Sequence, residues 1–303
     1  MHSLSFNLFS FVRKTGYPLI LDGAMGSLLQ SKGIDVNTQL WSSLANIKNP
    51  EAVYSIHVEY IKAGADIITT NTFRTNPAAV KKSGLKYDFK KLVNAGVQTA
   101  ITASKGNNVL IAGSNPPAED SYQAFRTLTK KELISNHQLH IETLMNSGCD
   151  FVLNETQSHM DEIEIICKYC SKNEIPFVIS LFVNKDLTIL SGESLKEVLA
   201  FTSDYEPLAI GFNCFFNDTL KRIVKRIKLN FNWGFYLNCG SGNFTDKEIS
   251  CGIIPKEYAT VASKYLSKKP SFLGACCGST PAHIKELNKL LNEKNHNKIA
   301  VKN

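Results

Sequence analysis

Asp150-Phe-Val-Leu-Asn-Glu-Thr156, the stretch Met160–Cys170 and Pro176-Phe-Val-Ile-Ser-Leu181 lie in succession and read as one unit. The outer two contain apolar runs too short for a core helix and rich in Phe, Val, Ile and Leu, as strands buried on both faces are. The segment between them is amphipathic at helical spacing. Strand, helix and strand in this order make a parallel pair, which requires such a crossover. The alternation continues in both directions. Runs at Pro18–Leu21, Asp66–Thr70, Val109–Gly113, Leu208–Phe212, Gly234–Leu237 and Ser271–Ala275 bring the predicted strands to eight. Amphipathic stretches at Pro50–Ala63, Lys130–Ser147, Leu195–Ser203 and Pro281–Leu291 fall between or after them, two opening on a proline suited to a first helical turn. Gly84–Phe89, Pro116–Thr127 and Asn238–Ile254 read as irregular loops. No low-complexity hinge or change of composition divides the chain, as a two-domain doubly wound protein would require. The expected fold is α/β, a single (β/α)8 TIM barrel formed by one domain, 1–303, with its core over about 18–291.

Composition limits the function classes. The chain is 43% hydrophobic and 20% charged, ordinary for a globular protein with a sizeable core. Its net charge of +7 comes from dispersed lysines and a polar tail at Lys289–Lys302, without an Arg/Lys stripe interleaved with aromatics. No nucleic-acid partner is expected. No apolar run approaches the ~18 residues of a membrane span, so no membrane partner is expected either. At the N-terminus Leu4, Leu8, Phe11 and Val12 share a helical face, predicting a short helix without an export signal. Eight cysteines are too few for a disulfide scaffold and suit reduced thiols in the cytoplasm.

The strand map assigns polar residues to one end of the barrel, where active sites of this fold lie. Run one ends at Asp22-Gly23, run two at Thr70-Asn71-Thr72 and run three at Ser114-Asn115. Run four ends at Asn154-Glu155-Thr156, run six at Asn213-Cys214, run seven at Asn238-Cys239 and run eight at Cys276-Cys277. Any one of these could simply cap the next helix. Adjacent cysteines can likewise be small buried hydrophobes. Thiols and carboxylates collected at one rim are harder to explain separately. Cys276 and Cys277, flanked by Gly274 and Gly278, can reach one metal ion if the backbone turns there, and Cys214 is the candidate third ligand. Three thiolates on Zn2+ would leave a fourth, exchangeable position, where a substrate thiol would lose its proton and become a nucleophile. Zinc-bound water for hydrolysis is the rival use, and three anionic sulfurs disfavour it.

Other candidates weigh less. Cys167 and Cys170 lie within a helical pattern, Cys149 and Cys251 have no evident partner, and Cys239 ranks below the other three as a ligand. His57, His137, His140 and His159 fall on or beside helices and read as surface or helix-packing residues, and His283 as part of a helix's first turn. Asp22-Gly-Ala-Met-Gly26 is not a dinucleotide-binding motif.

Together, Leu21-Asp-Gly-Ala-Met-Gly26, Ala65-Asp-Ile-Ile-Thr-Thr-Asn-Thr-Phe73, Gly211-Phe-Asn-Cys214 and Gly274-Ala-Cys-Cys-Gly278 resemble the signature set of the zinc-dependent homocysteine S-methyltransferases. That family includes betaine– and S-methylmethionine–homocysteine enzymes and the homocysteine module of cobalamin-dependent methionine synthase. The resemblance implies a (β/α)8 barrel in which Cys214, Cys276 and Cys277 bind zinc, homocysteine sulfur completes the set, and methionine is formed. It implies that Asp22 and Glu155 hold the amino-acid part of homocysteine through its ammonium group. Backbone amides near Gly23–Ala24 and Thr70–Phe73, including Asn71 and Thr72, would hold its carboxylate, and Asn238 would be a weak metal ligand in the empty enzyme. Ala275 and Cys239 depart from residues common in the family, the latter on the donor side of the pocket. The methyl donor is left open among S-methylmethionine, S-adenosylmethionine, betaine and a methylcorrinoid. The alternative is a homocysteine-activating subunit that works only with a separate corrinoid protein.

Overall fold

The computed structural model describes residues 18–242 and 248–300, the last stretch of these, 294–300, by backbone alone. The helix expected over Leu4–Val12 lies outside the described residues. All eight predicted strands form: β1 Leu19–Ile20, β2 Ile67–Thr69, β3 Leu110–Asn115, β4 Phe151–Gln157, β5 Phe177–Leu181, β6 Ala209–Asn213, β7 Trp233–Leu237 and β8 Phe272–Ala275. They make one parallel sheet in the order β1-β8-β7-β6-β5-β4-β3-β2. A parallel bridge between Leu21 and Ile67 closes it. There the Asp22 amide donates to the Ile67 carbonyl at 2.9 Å and the Asp66 amide to Ile20 at 2.8 Å.

A helix follows each strand: α1 Pro50–Ala63, α2 Phe89–Ser104, α3 Lys130–Asn146, α4 Met160–Lys172, α5 Leu195–Ser203, α6 Asn217–Arg226, α7 Pro255–Ser263 and α8 Pro281–Ala300. Local chemistry sets several of their ends. Pro50 opens α1, and Gly64 ends it at φ 101°. Thr129 with Glu132 and Ser194 with Glu197 form capping boxes at α3 and α5. The polar tail expected after Leu291 instead continues α8 to Ala300. Helix α2 was hidden in the sequence because Gly96 interrupts its apolar face. That glycine makes room for Asn46, whose Nδ2 would lie 2.7 Å from an added Cβ.

Strand side chains alternate between two compartments, following the period of two. Leu19, Leu21, Ile67, Phe151, Leu153, Val178 and Phe272 fill the barrel interior. Ile20, Ile68, Val152, Ile179, Phe212 and Leu273 pack outward into the helical layer. Phe272 fits because β7 presents a glycine beside it: a Cβ on Gly234 would sit 2.3 Å from the Phe272 ring. His57, His137, His140 and His159 are all buried, which corrects a surface reading for any of them. Helix packing is the part of that expectation that holds.

Gly234→Ala should therefore overpack the barrel and cost about 1–3 kcal/mol. Urea unfolding of the variant beside the parent chain measures this. An unchanged midpoint would mean that Phe272 has room to move.

Candidate active site and metal centre

Cys214 follows β6 directly, and Cys276 and Cys277 follow β8; β7 runs between them. Three hydrogen bonds pin both ends to the β7 side: Cys214 N to Tyr236 O at 3.1 Å, Cys276 N to Leu237 O at 2.8 Å, and Cys239 N to Cys277 O at 2.8 Å. Cys214 takes a left-handed φ of 60°, uncommon for a residue with a Cβ. Gly278 turns the other segment at φ 78°, where a Cβ would meet the Gly240 backbone at 2.6 Å. The sulfurs converge as a result. Cys214 and Cys277 Sγ are 3.7 Å apart and Cys276 and Cys277 Sγ 3.9 Å, and all three lie within 4.8 Å of one another.

This donor set fits a soft ion. Tetrahedral zinc–sulfur bonds of about 2.3 Å place sulfurs about 3.8 Å apart, matching the two measured edges. Among the described residues this is the one group of Cys, His, Asp and Glu side chains so arranged. The sulfurs also share protons unevenly. Hydrogen bonds from Cys214 and Cys276 hold the Cys277 thiol well below its ordinary pKa, while hydrogen bonding with Cys214 and Cys277, and then burial, push Cys276 up.

The thiols open onto a cavity of about 950 Å³ that is also lined by Asp22, Gly23, Asn71 and Glu155. Asp22 accepts from Thr69 N at 2.8 Å and Thr69 Oγ1 at 2.9 Å. Glu155 accepts from the Ser114 hydroxyl and, at 3.4 Å, from Tyr236. Burial raises Asp22 to about 8 against the Thr69 hydrogen bonds, and it raises Glu155 to about 7 against that from Ser114. No ion pair among the described residues includes either carboxyl. Asp22, buried, and Glu155, half-buried, thus line the cavity with no cation paired to them among the described residues.

The remaining predicted site residues divide. Gly23 lines the cavity, and a Cβ there would meet Ser279 and Tyr60 at 2.6 and 2.7 Å. Asn71 reaches the wall, but its side chain is held by Ser42 and Asn46 at 2.7–2.9 Å. Thr72 is fully buried, with its hydroxyl on Ser114 O and Thr70 and its amide on Thr70 O. The Thr72 hydroxyl thus ties the end of β2 to β3, and its amide is already engaged by the Thr70 carbonyl. Asn238 turns Oδ1 onto the Gly240 amide at 2.7 Å and is not among the cavity-lining residues. Cys239 is buried with its thiol on Leu237 O, and Cys167 and Cys170 are buried in α4. Burial pushes the Cys167 thiol up to about 12.

Sequence reasoning missed two residues. Tyr236 points into the barrel toward Glu155, which the alternation along β7 could have revealed. Tyr122, in the loop 116–127, places its hydroxyl 2.9 Å from Cys214 Sγ. Its ring stands edge-on to Phe182 at 5.2 Å and 77°. Glu119 clasps the loop by accepting from Thr127 N at 3.0 Å, Leu128 N at 3.3 Å and the Thr127 hydroxyl. Arg126 braces it against Glu162, Glu119 and Asp161.

A (β/α)8 barrel with three convergent thiols and two carboxyls at the ends of its strands has the layout of a barrel enzyme with a thiol centre. Residues 19–291 match the homocysteine S-methyltransferase family, and the chain belongs to it. It is 23% identical to homocysteine S-methyltransferase 2 of Arabidopsis thaliana, covering 95% of this chain and 97% of that one. Homocysteine S-methyltransferase of Escherichia coli strain K12 is 26% identical, over 89% of this chain and 94% of its own. The fold is shared with the metallated form of the Escherichia coli homocysteine methyltransferase MmuM, at a TM-score of 0.79 and 24% identity, over 93% of this chain and 99% of that structure.

Buried Asp22 makes a stability prediction. Asp22 has a folded pKa of about 8, above its ordinary 3.8, so the folded chain binds the extra proton. Its contribution is complete below pH about 4 and is lost as pH rises towards and through 8. Asp22→Asn keeps a neutral side chain throughout, so its melting temperature should gain on the parent's from pH 5 to pH 8.5. A constant difference across that range would refute uncompensated burial.

Proposed function

We propose that this chain transfers a methyl group to the sulfur of homocysteine and forms methionine, with Cys214, Cys276 and Cys277 as ligands of Zn2+. The observation that carries the reading is the meeting of three sulfurs, within 4.8 Å of one another, in the cavity that also holds Asp22 and Glu155. Bound by three thiolates, zinc would offer an open position at which the substrate thiol gives up its proton to solvent.

The chain's own residues do the rest. Asp22 and Glu155 bind the ammonium group, which replaces the protons that burial keeps on them. Thr69 and Ser114 hold those carboxyls in place by hydrogen bonds. The Gly23 amide, free of an acceptor among the described residues, is available to the substrate carboxylate, whereas the Ala24 amide is engaged by Ser279 at 2.9 Å. Anchored at its amino-acid end, homocysteine extends its sulfur toward the thiol centre. A sulfur–methyl bond then forms as the donor–methyl bond breaks, and the carrier leaves with the electron pair of that bond. The product is a neutral thioether, which would be a weaker ligand for zinc than the thiolate it replaces and so would favour release.

A small donor acting directly suits the family context better than a partner corrinoid subunit. The relatives named as homocysteine S-methyltransferases align over nearly their whole length with this single barrel. No helix among the described residues is long and apolar enough to cross a membrane. All eight cysteines are free, and such thiols suit a reducing compartment, for which we propose the cytoplasm.

Cys276→Ala should remove bound zinc, read by elemental analysis, together with methionine formation. Full activity in the zinc-free variant would defeat the mechanism. With the parent chain, a panel of S-methylmethionine, S-adenosylmethionine, betaine and a methylcorrinoid protein should give methionine from at least one small donor. Turnover confined to the methylcorrinoid protein would favour the split-subunit alternative.

A further inference from the structure

Three thiolates on a divalent ion leave an excess negative charge, in a cavity already lined by the carboxyls of Asp22 and Glu155. Such a centre calls for hydrogen-bond donors around its sulfurs, because charge in a low-dielectric site is costly without them. The amides of Cys214 and Cys276 are engaged by the carbonyls of Tyr236 and Leu237, which leaves the Cys277 amide as the backbone donor of the cluster, toward its own sulfur. Among the described residues, the Tyr122 hydroxyl, 2.9 Å from Cys214 Sγ, is the side-chain polar group outside the cluster that hydrogen-bonds one of its sulfurs. Between a thiol and a phenol either could donate. Once Cys214 is a metal-bound thiolate it can only accept, and the phenol must donate.

We propose that Tyr122 is the outer hydrogen-bond donor of the three-sulfur centre, drawing charge from Cys214 and so keeping the bound ion electrophilic enough to acidify a substrate thiol. The inference rests on the reading of the three cysteines as metal ligands. The loop is built for a fixed donor. Glu119 closes it at Thr127 and Leu128, and Arg126 locks it to the buried Glu162 of α4. The Tyr122 amide donates to Asp120 at 2.9 Å, and Phe182 stands edge-on to the ring. The residue is thus confined at its backbone, at its ring and at its hydroxyl. Tyr122 acts through Cys214, as a positioning and charge-tuning residue. Such outer contacts typically set metal affinity or activity by ten- to a hundredfold.

Cobalt substitution of the full chain tests this without relying on turnover, since sulfur-to-cobalt charge-transfer absorption reports electron density on the thiolates. Tyr122→Phe should shift that band to lower energy while keeping its three-thiolate intensity, and should weaken zinc binding in a chelator competition by roughly ten- to a hundredfold. Phe182→Leu keeps the hydroxyl and removes its packing partner, so its band should stay at the parent's position. An unmoved band in Tyr122→Phe, or equal shifts in both variants, would overturn the proposal. So would the loss of a phenolate-to-cobalt band in Tyr122→Phe, because Tyr122 would then be a ligand itself. A parent chain that takes up cobalt without sulfur coordination would instead defeat the reading of the cysteines as ligands.

Discussion

The site depends on β7 holding together the ends of two strands that do not touch each other. β6 delivers Cys214 and β8 delivers Cys276 and Cys277, and both segments hydrogen-bond to the end of β7 between them. Barrel curvature then turns the two ends toward a common point. The last adjustment is local, the left-handed backbone of Cys214 at φ 60°. A residue with a Cβ pays of order 1–3 kcal/mol for such a conformation, and the packed barrel beneath offsets it. Phe272 and Gly234 belong to that packing, so the fit of one ring inside the barrel supports the spacing of three sulfurs at its rim.

Charge is the second constraint. Three thiols and two carboxyls share one cavity, and neither Asp22 nor Glu155 pairs with a cation among the described residues. Burial favours protons on the carboxyls, and mutual hydrogen bonds hold protons unevenly among the sulfurs, Cys277 giving its own up most readily. A metal ion and an ammonium group are the two cations that would displace those protons. Substrate recognition and proton release are then one event, and the pocket's affinity for its ligand has the same origin as its cost to stability.

Much of this was legible in the sequence because its signals are local. Each of the eight strands announced itself as a short β-rich run, and the crossovers fixed them as parallel. Cys214, Asp22, Glu155 and the vicinal thiols could then be assigned to one rim by counting to strand ends. What stayed hidden depends on contacts distant in the chain. Asn71 and Thr72 stand at a strand end, where polar residues can face substrate or tie neighbouring segments, and only packing shows that Ser42, Asn46 and Ser114 claim their side chains. Tyr122 sits in an irregular loop with no periodicity to orient it, and its contact with Cys214 spans 92 residues. The buried histidines are similar. His137 on Glu162 and His140 on Asn115 form a polar network between helices and strands that no helical pattern displays.

X-ray absorption at the zinc edge, on the zinc-loaded chain with and without homocysteine, is the most direct test of a thiol centre that activates another thiol. Three sulfur neighbours are expected in the substrate-free enzyme, from Cys214, Cys276 and Cys277, rising to four when homocysteine binds. A sulfur count that stays at three on saturation with homocysteine would contradict activation of the substrate at this centre.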